Sequence, residues 1–510
     1  MNNLHLTDDD LRQIEEENLT VEAIQEHLQK FIQGTTPVEL VRPCTPGDGI
    51  ECPSEETRLQ WINSYNVLVD TLTVVKFVPA SGAATRMFKN WFDLINGEGP
   101  DQGDDLRQVR ETIRKYPFIP DLEEKIREQN ADLDQCLQKG EIKKILETIL
   151  LEKGLNYGHA SKALIIFHRY GDTARTPLEE HLVEGVGYGR SQGNICRIHI
   201  TVSGEFLSQV KKHLEKIIPE YERKYGTSYQ VELSIQEPAT NTIAVDPENR
   251  PFRDEKGRLL FRPGGHGALL ENLTSIDADL IFIKNIDNVS RERMQEINQS
   301  SKKMLAGLLL TVQRRIFSYL ALIASGNVTA DQLQEMYEYC VQYLHLYLPA
   351  NLLLSPQKEQ AAILFTAMNR PIRVCGMVKN TGEPGGGPFW VKDEEGHVSR
   401  QIIEQFQVNS SDPGQMKIWS SSTHFNPVDI VCGIKDFRGN LFNLKDFADQ
   451  KAVCITTKSE KGRSLKALEL PGLWNGSMAY WISIFVDVPI ETFTPVKIVE
   501  DLLREEHLAG

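Results

Sequence analysis

Five short apolar runs, at residues 74–78, 163–167, 197–202, 229–235 and 280–284, alternate with stretches of helical spacing, and that alternation constrains the fold more than any other feature. Runs rich in β-branched residues and bounded by turn residues are strand signals, whereas apolar positions recurring every three or four residues mark helices. The helical pattern covers 177–184, 205–224 and 268–273. Parallel neighbours need a crossover long enough to hold a helix, so strands that alternate with helices run mostly parallel. The chain is therefore expected to be α/β, with a mixed, mostly parallel sheet flanked by helices. In such sheets ligands gather at the carboxyl ends of the strands.

Helical material surrounds this core. Residues 7–34 alternate acidic and apolar positions, with Thr7 suited to cap the first helix, and a polar linker rich in Pro and Gly runs from 34 to 54. Leu, Glu and Lys dominate 106–154, which reads as part of a helical insertion at 97–160. The stretch DPENRPFRDEKGRLLFRPGG reads as a hairpin, 291–368 as a helical segment, and 497–505 as a closing helix. The expected organisation is an N-terminal helical region and linker (1–70), an α/β half (71–290), the helical segment (291–368) and a second half with shorter strands (369–510).

Charge and cysteine usage exclude some roles. A formal net charge of −15 argues against a general nucleic-acid or anionic-membrane surface, since both require extended positive potential. No stretch reads as the roughly 20 apolar residues of a spanning helix, and the acidic start, MNNLHLTDDDLRQIEEENLT, has no apolar signal core. The 8 cysteines form no CxxC pair and no HExxH is present, so neither a zinc site nor a disulfide framework is expected. A reducing cytoplasm fits best. The oligomeric state is not legible.

Two stretches carry candidate chemistry. In TVVKFVPASGAATRMFKNW an apolar run breaks into Ala80, Ser81, Gly82 and Ala83, followed by Arg86 and Lys89. Small residues let a ligand approach the backbone, and cations in the first turn of a helix would add to a macrodipole that favours anions. A tight strand-to-helix turn would look the same. In RPGGHGALLENLTSIDADLIFIKNIDNVSRER, Asp287 stands at the carboxyl end of an apolar strand between Asn285 and Asn288. A carboxylate there suits a hard cation such as Mg²⁺, which takes one or two protein carboxylates and completes its shell with water and phosphate. The alternative is a helix cap. The Gly265, His266 and Gly267 turn offers unobstructed backbone amides for a flat base, or is simply a turn.

Together the small-residue loop ending in Thr-Arg, the Pro-Gly-Gly-His-Gly turn and the Asn-Ile-Asp-Asn strand end resemble the sugar-1-phosphate uridylyltransferases, or UDP-sugar pyrophosphorylases. The resemblance runs in order over roughly 71–505, as islands between helical inserts. Lys162 in KALIIFHRYGDTARTPLEEHL, Gln236 and Pro238 in SIQEPAT, and Lys497 in FTPVKIVEDLL fall where that family has its lysine, base-side loop and PVK segment. The chain departs from the family's Gly-Gly-x-Gly-Thr-Arg loop, retaining only Gly82 among the glycines, which marks a divergent branch.

The resemblance implies a glycosyltransferase-A-like nucleotidyltransferase fold, with a nucleotide-binding half at 71–290 and a sugar-binding half at 369–510. It implies Mg²⁺ on Asp287, and Arg86, Lys162 and Lys497 around the phosphates. Nucleotide contacts would fall to Ala80, Ser81, Gly82, Ala83, Gln236, Gly265 and His266. Sugar contacts would fall to Glu383, Gly386, Glu404 and Asn426, each of which has an ordinary turn, surface or capping reading as well. The implied partners are a nucleoside triphosphate and a sugar 1-phosphate. His168 and His424 read as packing histidines, and Trp474 and Trp481 as core behind the sugar site. The rival reading is a nucleotide-sugar-binding protein that keeps the fold without turnover; a glycosyltransferase would want an Asp-x-Asp at a strand end, and Asp277-Ala-Asp279 precedes its strand instead.

Overall fold

The computed structural model describes residues 6–98, 102–383 and 385–508. The chain divides into two compact units built from interleaved segments: Met1–Val75, Gln236–Ile283 and Lys302–Pro489 form the first, and Lys76–Ile235, Lys284–Ser301 and Ile490–Gly510 the second. The expected consecutive halves therefore give way to units that the chain enters more than once. Neighbours in sequence pattern are not neighbours in packing when a sheet is completed by late strands.

In the second unit the Ile195–Val202 strand has parallel partners in Lys76–Pro79 and Ser228–Ile235, and an antiparallel one in Arg190–Ser191. The backbone after residue 283 extends the parallel ladder, with Lys284 N donating to Phe77 O and Ile286 N to Pro79 O, each at 3.2 Å. Thr176 caps the Pro177–Tyr188 helix in a reciprocal box with Glu179, with Pro177 in the first turn where its missing N–H costs nothing. The Leu207–Tyr225 helix buries Val210, Leu214, Ile217 and Tyr221, one face at helical spacing, against the strands.

The helical insertion exists. Its helices, from Gln102–Thr112 to Ile142–Leu150, enclose Trp91, Tyr116, Phe118 and Leu122 in a second apolar core. Val496, Val499 and Leu502 from the C-terminal segment enter the same core, and this burial brings Lys497 into the unit.

In the first unit Ile372–Lys379 pairs parallel with Ile482–Asp487 and antiparallel with Ile430–Gly433, which pairs antiparallel with Leu280–Ile283. Glu39–Pro43, Gly387–Lys392 and Val398–Ile403 form a separate antiparallel sheet. Ile14 and Ile24, from the helices after Thr7 and Thr20, pack on Ile243 and Leu259 of the expected hairpin region. The α/β architecture with a mixed, mainly parallel sheet is thus present.

Three local expectations change. Residues 163–167 form no strand: Lys162–Leu164 is a 3₁₀ turn, and Ala163, Ile165 and Phe167 are apolar because the turn is buried. Periodicity cannot separate a buried strand from another buried apolar stretch. The closing helix is a 3₁₀ turn, Val499–Leu503. And one helical run, Glu292–Ala324, is long and apolar enough to cross a membrane, contrary to the reading of the sequence; half of that apolar window is buried. Leu305, Leu308, Leu309, Val312, Ile316 and Leu320 are its fully buried face in the first unit, the stripe of a core helix.

Gly307 on this helix allows a close approach, because an added Cβ would lie 1.8 Å from the Trp61 carbonyl oxygen. Gly307→Ala is expected to destabilise the protein by about 2 kcal/mol or more, as overpacking against backbone cannot relax by rotamer change, measured as a lower urea midpoint with an unchanged slope.

Candidate functional site

Asp287, in the turn after the Leu280–Ile283 strand, is the centre of the site. Its Oδ2 accepts from Lys162 Nζ at 2.9 Å and from Lys497 Nζ at 3.0 Å, and its Oδ1 from Lys497 Nζ at 3.2 Å. Asp287 and Lys162 are buried, whereas the Lys497 side chain is 52% exposed. Burial pushes the Asp287 carboxyl up, but Lys497 and Lys162 more than offset it, so its pKa lies below the ordinary carboxylate value. Burial pushes the Lys162 ammonium down; Asp287 opposes this and Lys497 adds to it, leaving a net lowering.

Backbone pairing brings these residues together. Val496 N donates to Asp287 O at 3.0 Å, Thr494 N to Asn288 Oδ1 at 3.0 Å, and Thr494 Oγ1 to Val289 O at 2.9 Å. The C-terminal segment therefore runs along the Asp287 turn before Asp501 reverses it, its Oδ2 accepting from Lys497 N at 2.6 Å and Ile498 N at 2.9 Å. Asp501 was missed in the sequence; its signal is a carboxylate placed to cap a turn four residues after Lys497.

The small-residue loop lies against the Lys162 segment. Lys162 N donates to Gly82 O at 3.3 Å, Ala84 N to Ala160 O at 3.0 Å, and Thr85 Oγ1 to Gly158 O at 3.1 Å. Ser81 and Gly82 are exposed, and a Cβ on Gly82 would meet no protein atom within 4 Å, so its smallness is not a demand of internal packing. Ala83 is half-buried, and Ala80 is turned into the core with its N–H on Thr201 O. Arg86 is exposed but lies in the 3₁₀ turn Ala84–Arg86; the following α-helix starts at Lys89. The expected macrodipole contribution at Arg86 therefore falls away, since it is confined to the first turn of an α-helix. The adjacent Met87 O accepts from Val499 N at 3.0 Å, which ties this turn to the Lys497 segment.

The remaining candidates belong to the first unit. Gln236 Nε2 donates to Thr240 Oγ1 at 3.2 Å, and Gly265 has φ +73°, the left-handed conformation that favours glycine. The His266 ring stacks on Trp474 at 4.3 Å. His266 Nδ1 accepts from Leu473 N, so its proton is on Nε2, 3.8 Å from Glu404 Oε1. Burial pushes His266 down, with Glu404 and Glu469 opposing. Trp474 Nε1 donates to the same Glu404 oxygen at 3.2 Å. Trp474, read from the sequence as core, is thus a partner of two candidates.

Gly386 O accepts from Asn426 N, and a Cβ there would meet Ile402 at 2.7 Å and Glu404 at 3.5 Å. The Asn426 side chain is engaged by the protein, donating to Gly376 O and accepting from Val428 N. Glu383 is half-buried in the turn before the Gly387–Lys392 strand. His168 is a packing histidine, bonded to Glu180 at 2.9 Å and His507 at 2.8 Å.

Asp287 offers a hard cation one anionic carboxylate, the number magnesium commonly takes from protein, and the half-exposed Lys497 ammonium can turn away from it. Both Asp287 oxygens accept from ammoniums here, so a cation would have to displace Lys497. Among the described residues, the grouping with metal-ligand spacing is elsewhere: Asp393, Glu395 and His397 on a first-unit hairpin, with His397 N–H bound to Asp393.

Fold and site define an α/β protein whose second unit gathers two lysines on one aspartate beside a small-residue loop. Residues 7–508 match the model of the family described as Domain of unknown function (DUF4301), and the chain belongs to that family. No curated protein matches it in sequence. Among solved structures it is similar to the uridine diphosphate N-acetylglucosamine pyrophosphorylase of Trypanosoma brucei, with 11% identity, 98% of this chain and 80% of that one covered, and a TM-score of 0.47. It is also similar to the UDP-glucose pyrophosphorylase of Leishmania major, with 12% identity, 98% and 79% covered, and a TM-score of 0.45. Likeness at this level bears on neither substrate nor reaction.

Asp287→Asn leaves two ammoniums facing each other without a counter-charge and is expected to cost about 1–3 kcal/mol near neutral pH. Because the folded pKa of Asp287 is lowered, its stabilisation is present above the unfolded value of about 4 and lost as pH falls through the folded value. Urea titrations of wild type and Asp287→Asn should therefore converge in acid and reach their full separation by about pH 4, with no further divergence above it.

Proposed function

We propose that the protein is a nucleotidyltransferase that forms a nucleotide-sugar, UDP-sugar foremost, and pyrophosphate from a nucleoside triphosphate and a sugar 1-phosphate. The observation that carries the reading is convergence. Lys162 and Lys497, named from separate motifs, meet on Asp287, the residue named from a third, beside the Ser81–Gly82 backbone.

In this reaction an oxygen of the sugar phosphate bonds to the α-phosphorus, the bond to the bridging oxygen breaks, and pyrophosphate leaves with that electron pair. The nucleophile is already an anion, so no strong general base is required. The barrier is the repulsion between two polyanions, and positioned cations lower it. Lys162, buried and held in place by Asp287, is a fixed charge with little solvent screening. Lys497, half exposed, can exchange its Asp287 contact for a phosphate oxygen. Arg86, exposed in the turn joined to the Lys497 segment, would meet the outer phosphates. Magnesium, when bound on Asp287, would neutralise phosphate charge. Ser81, Gly82 and Ala83 leave room for the nucleotide.

The test is pyrophosphate release from UTP, Mg²⁺ and a panel of sugar 1-phosphates. Lys497→Ala is expected to reduce kcat by about 100-fold or more, the scale for removing one group that stabilises transition-state charge. Full activity in that variant would exclude Lys497 from the mechanism. UDP-sugar binding without pyrophosphate release from any substrate would establish the binding protein instead.

A further inference from the structure

Within the first unit, a cavity of about 700 Å³ opens against the amino-terminal ends of the parallel strands Ile372–Lys379 and Ile482–Asp487. These are the strand ends opposite to those where α/β sheets usually hold their substrates. Arg370, two residues before the first strand, and Trp481, directly before the second, line it, as does Arg400 from the Val398–Ile403 strand.

Two lining residues, Arg400 and Trp481, carry buried hydrogen-bond donors that lack acceptors. Arg400 is 4% exposed; its Nη2 donates to Leu344 O at 3.1 Å, and its Nη1 has no hydrogen-bond partner. Trp481 is also 4% exposed, and its Nε1 has none. Arg370 makes one long bond, from Nε to Thr366 O at 3.4 Å. Behind them Arg373, fully buried, donates to the cavity-lining Ser483 and keeps Nη2 unpartnered. None of the three arginines pairs with a carboxylate among the described residues. Glu51 acts on Arg400 only from a distance, and burial pushes all three guanidiniums down. The rim carries both signs, Lys392 and Lys451 with Asp393, Glu394, Glu395 and Asp449, and Lys451 is spent on Glu394 at 2.7 Å.

Buried guanidinium without a counter-charge is costly, and a buried N–H without an acceptor adds to that cost. Elsewhere the chain balances buried cations carefully: Lys284 and Lys76 share Glu184, and Lys302 pairs with Asp429. Here Arg400 and Trp481, each with an unpartnered buried donor, line a cavity, and the chemistry missing is an acceptor-only anion. We propose that this cavity is a second ligand site, separate from the Asp287 cluster, that binds a small organic anion through phosphate or carboxylate oxygens. Arg400 and Trp481 supply the donors and Arg370 the nearby charge.

The test uses the full chain carrying Lys497→Ala, so that phosphate binding at the Asp287 cluster is weakened. Calorimetry and thermal shift with orthophosphate and with citrate separate the two oxygen chemistries, and binding of either supports the site. Adding Arg400→Gln should weaken that binding about tenfold or more, the scale of a charge-assisted hydrogen bond, without lowering the Tm of the unliganded protein. Trp481→Phe keeps the ring, removes one donor, and should weaken binding severalfold at unchanged Tm; it decides the matter if Arg400→Gln does not fold. Binding of neither anion, or unchanged affinity in these variants, overturns the proposal.

Discussion

The carboxylate of Asp287 between the ammoniums of Lys162 and Lys497 is the interaction on which the second unit's organisation turns. Each partner is unfavourable alone. Asp287 is buried deeply enough that solvation loss would push its carboxyl up, and Lys162 is buried enough to lose its proton more easily. Together they are mutually satisfied, and the arrangement keeps two positive charges near a strand end where an anion can reach the exposed one. The cluster is also a tie: it joins the turn after Leu280–Ile283, the 3₁₀ turn at Lys162 and the C-terminal segment.

That tie depends on packing remote from it. Val496, Val499 and Leu502 are buried among Trp91 and the apolar residues of the helical insertion, Phe118 among them, and the hydrogen bond from Val496 to Asp287 sets the direction from which Lys497 arrives. The insertion therefore has a physical role in the site without supplying a candidate residue to it: it forms the apolar surface that holds the segment bearing Lys497. The buried arginines of the first unit present the opposite case, cations placed in the interior with hydrogen-bond capacity left over.

Much of the architecture was legible because strand and helix periods are local properties. The runs at 197–202 and 229–235 became Ile195–Val202 and Ser228–Ile235, and the cap expected at Thr7 formed its side-chain bond. Residues 163–167 misled because burial, not extension, explains their apolar character. Arg86 misled because two residues, Met87 and Phe88, separate its turn from the α-helix. Trp474 changed meaning because a side-chain hydrogen bond to a distant carboxylate leaves no local trace.

By itself the sequence determined the element types, the acidic balance of −15 that makes every clustered cation conspicuous, and the identity of Asp287, Lys162 and Lys497 as residues worth watching. Only the tertiary structure decided that they share one carboxylate, that Ala80 is core while Ser81 and Gly82 are exposed, and that each unit is assembled from separate segments of the chain. The reason is range: helical and strand periods arise from neighbours a few residues apart, whereas an ion pair between residues 287 and 497 exists only after late strands and a C-terminal segment have packed.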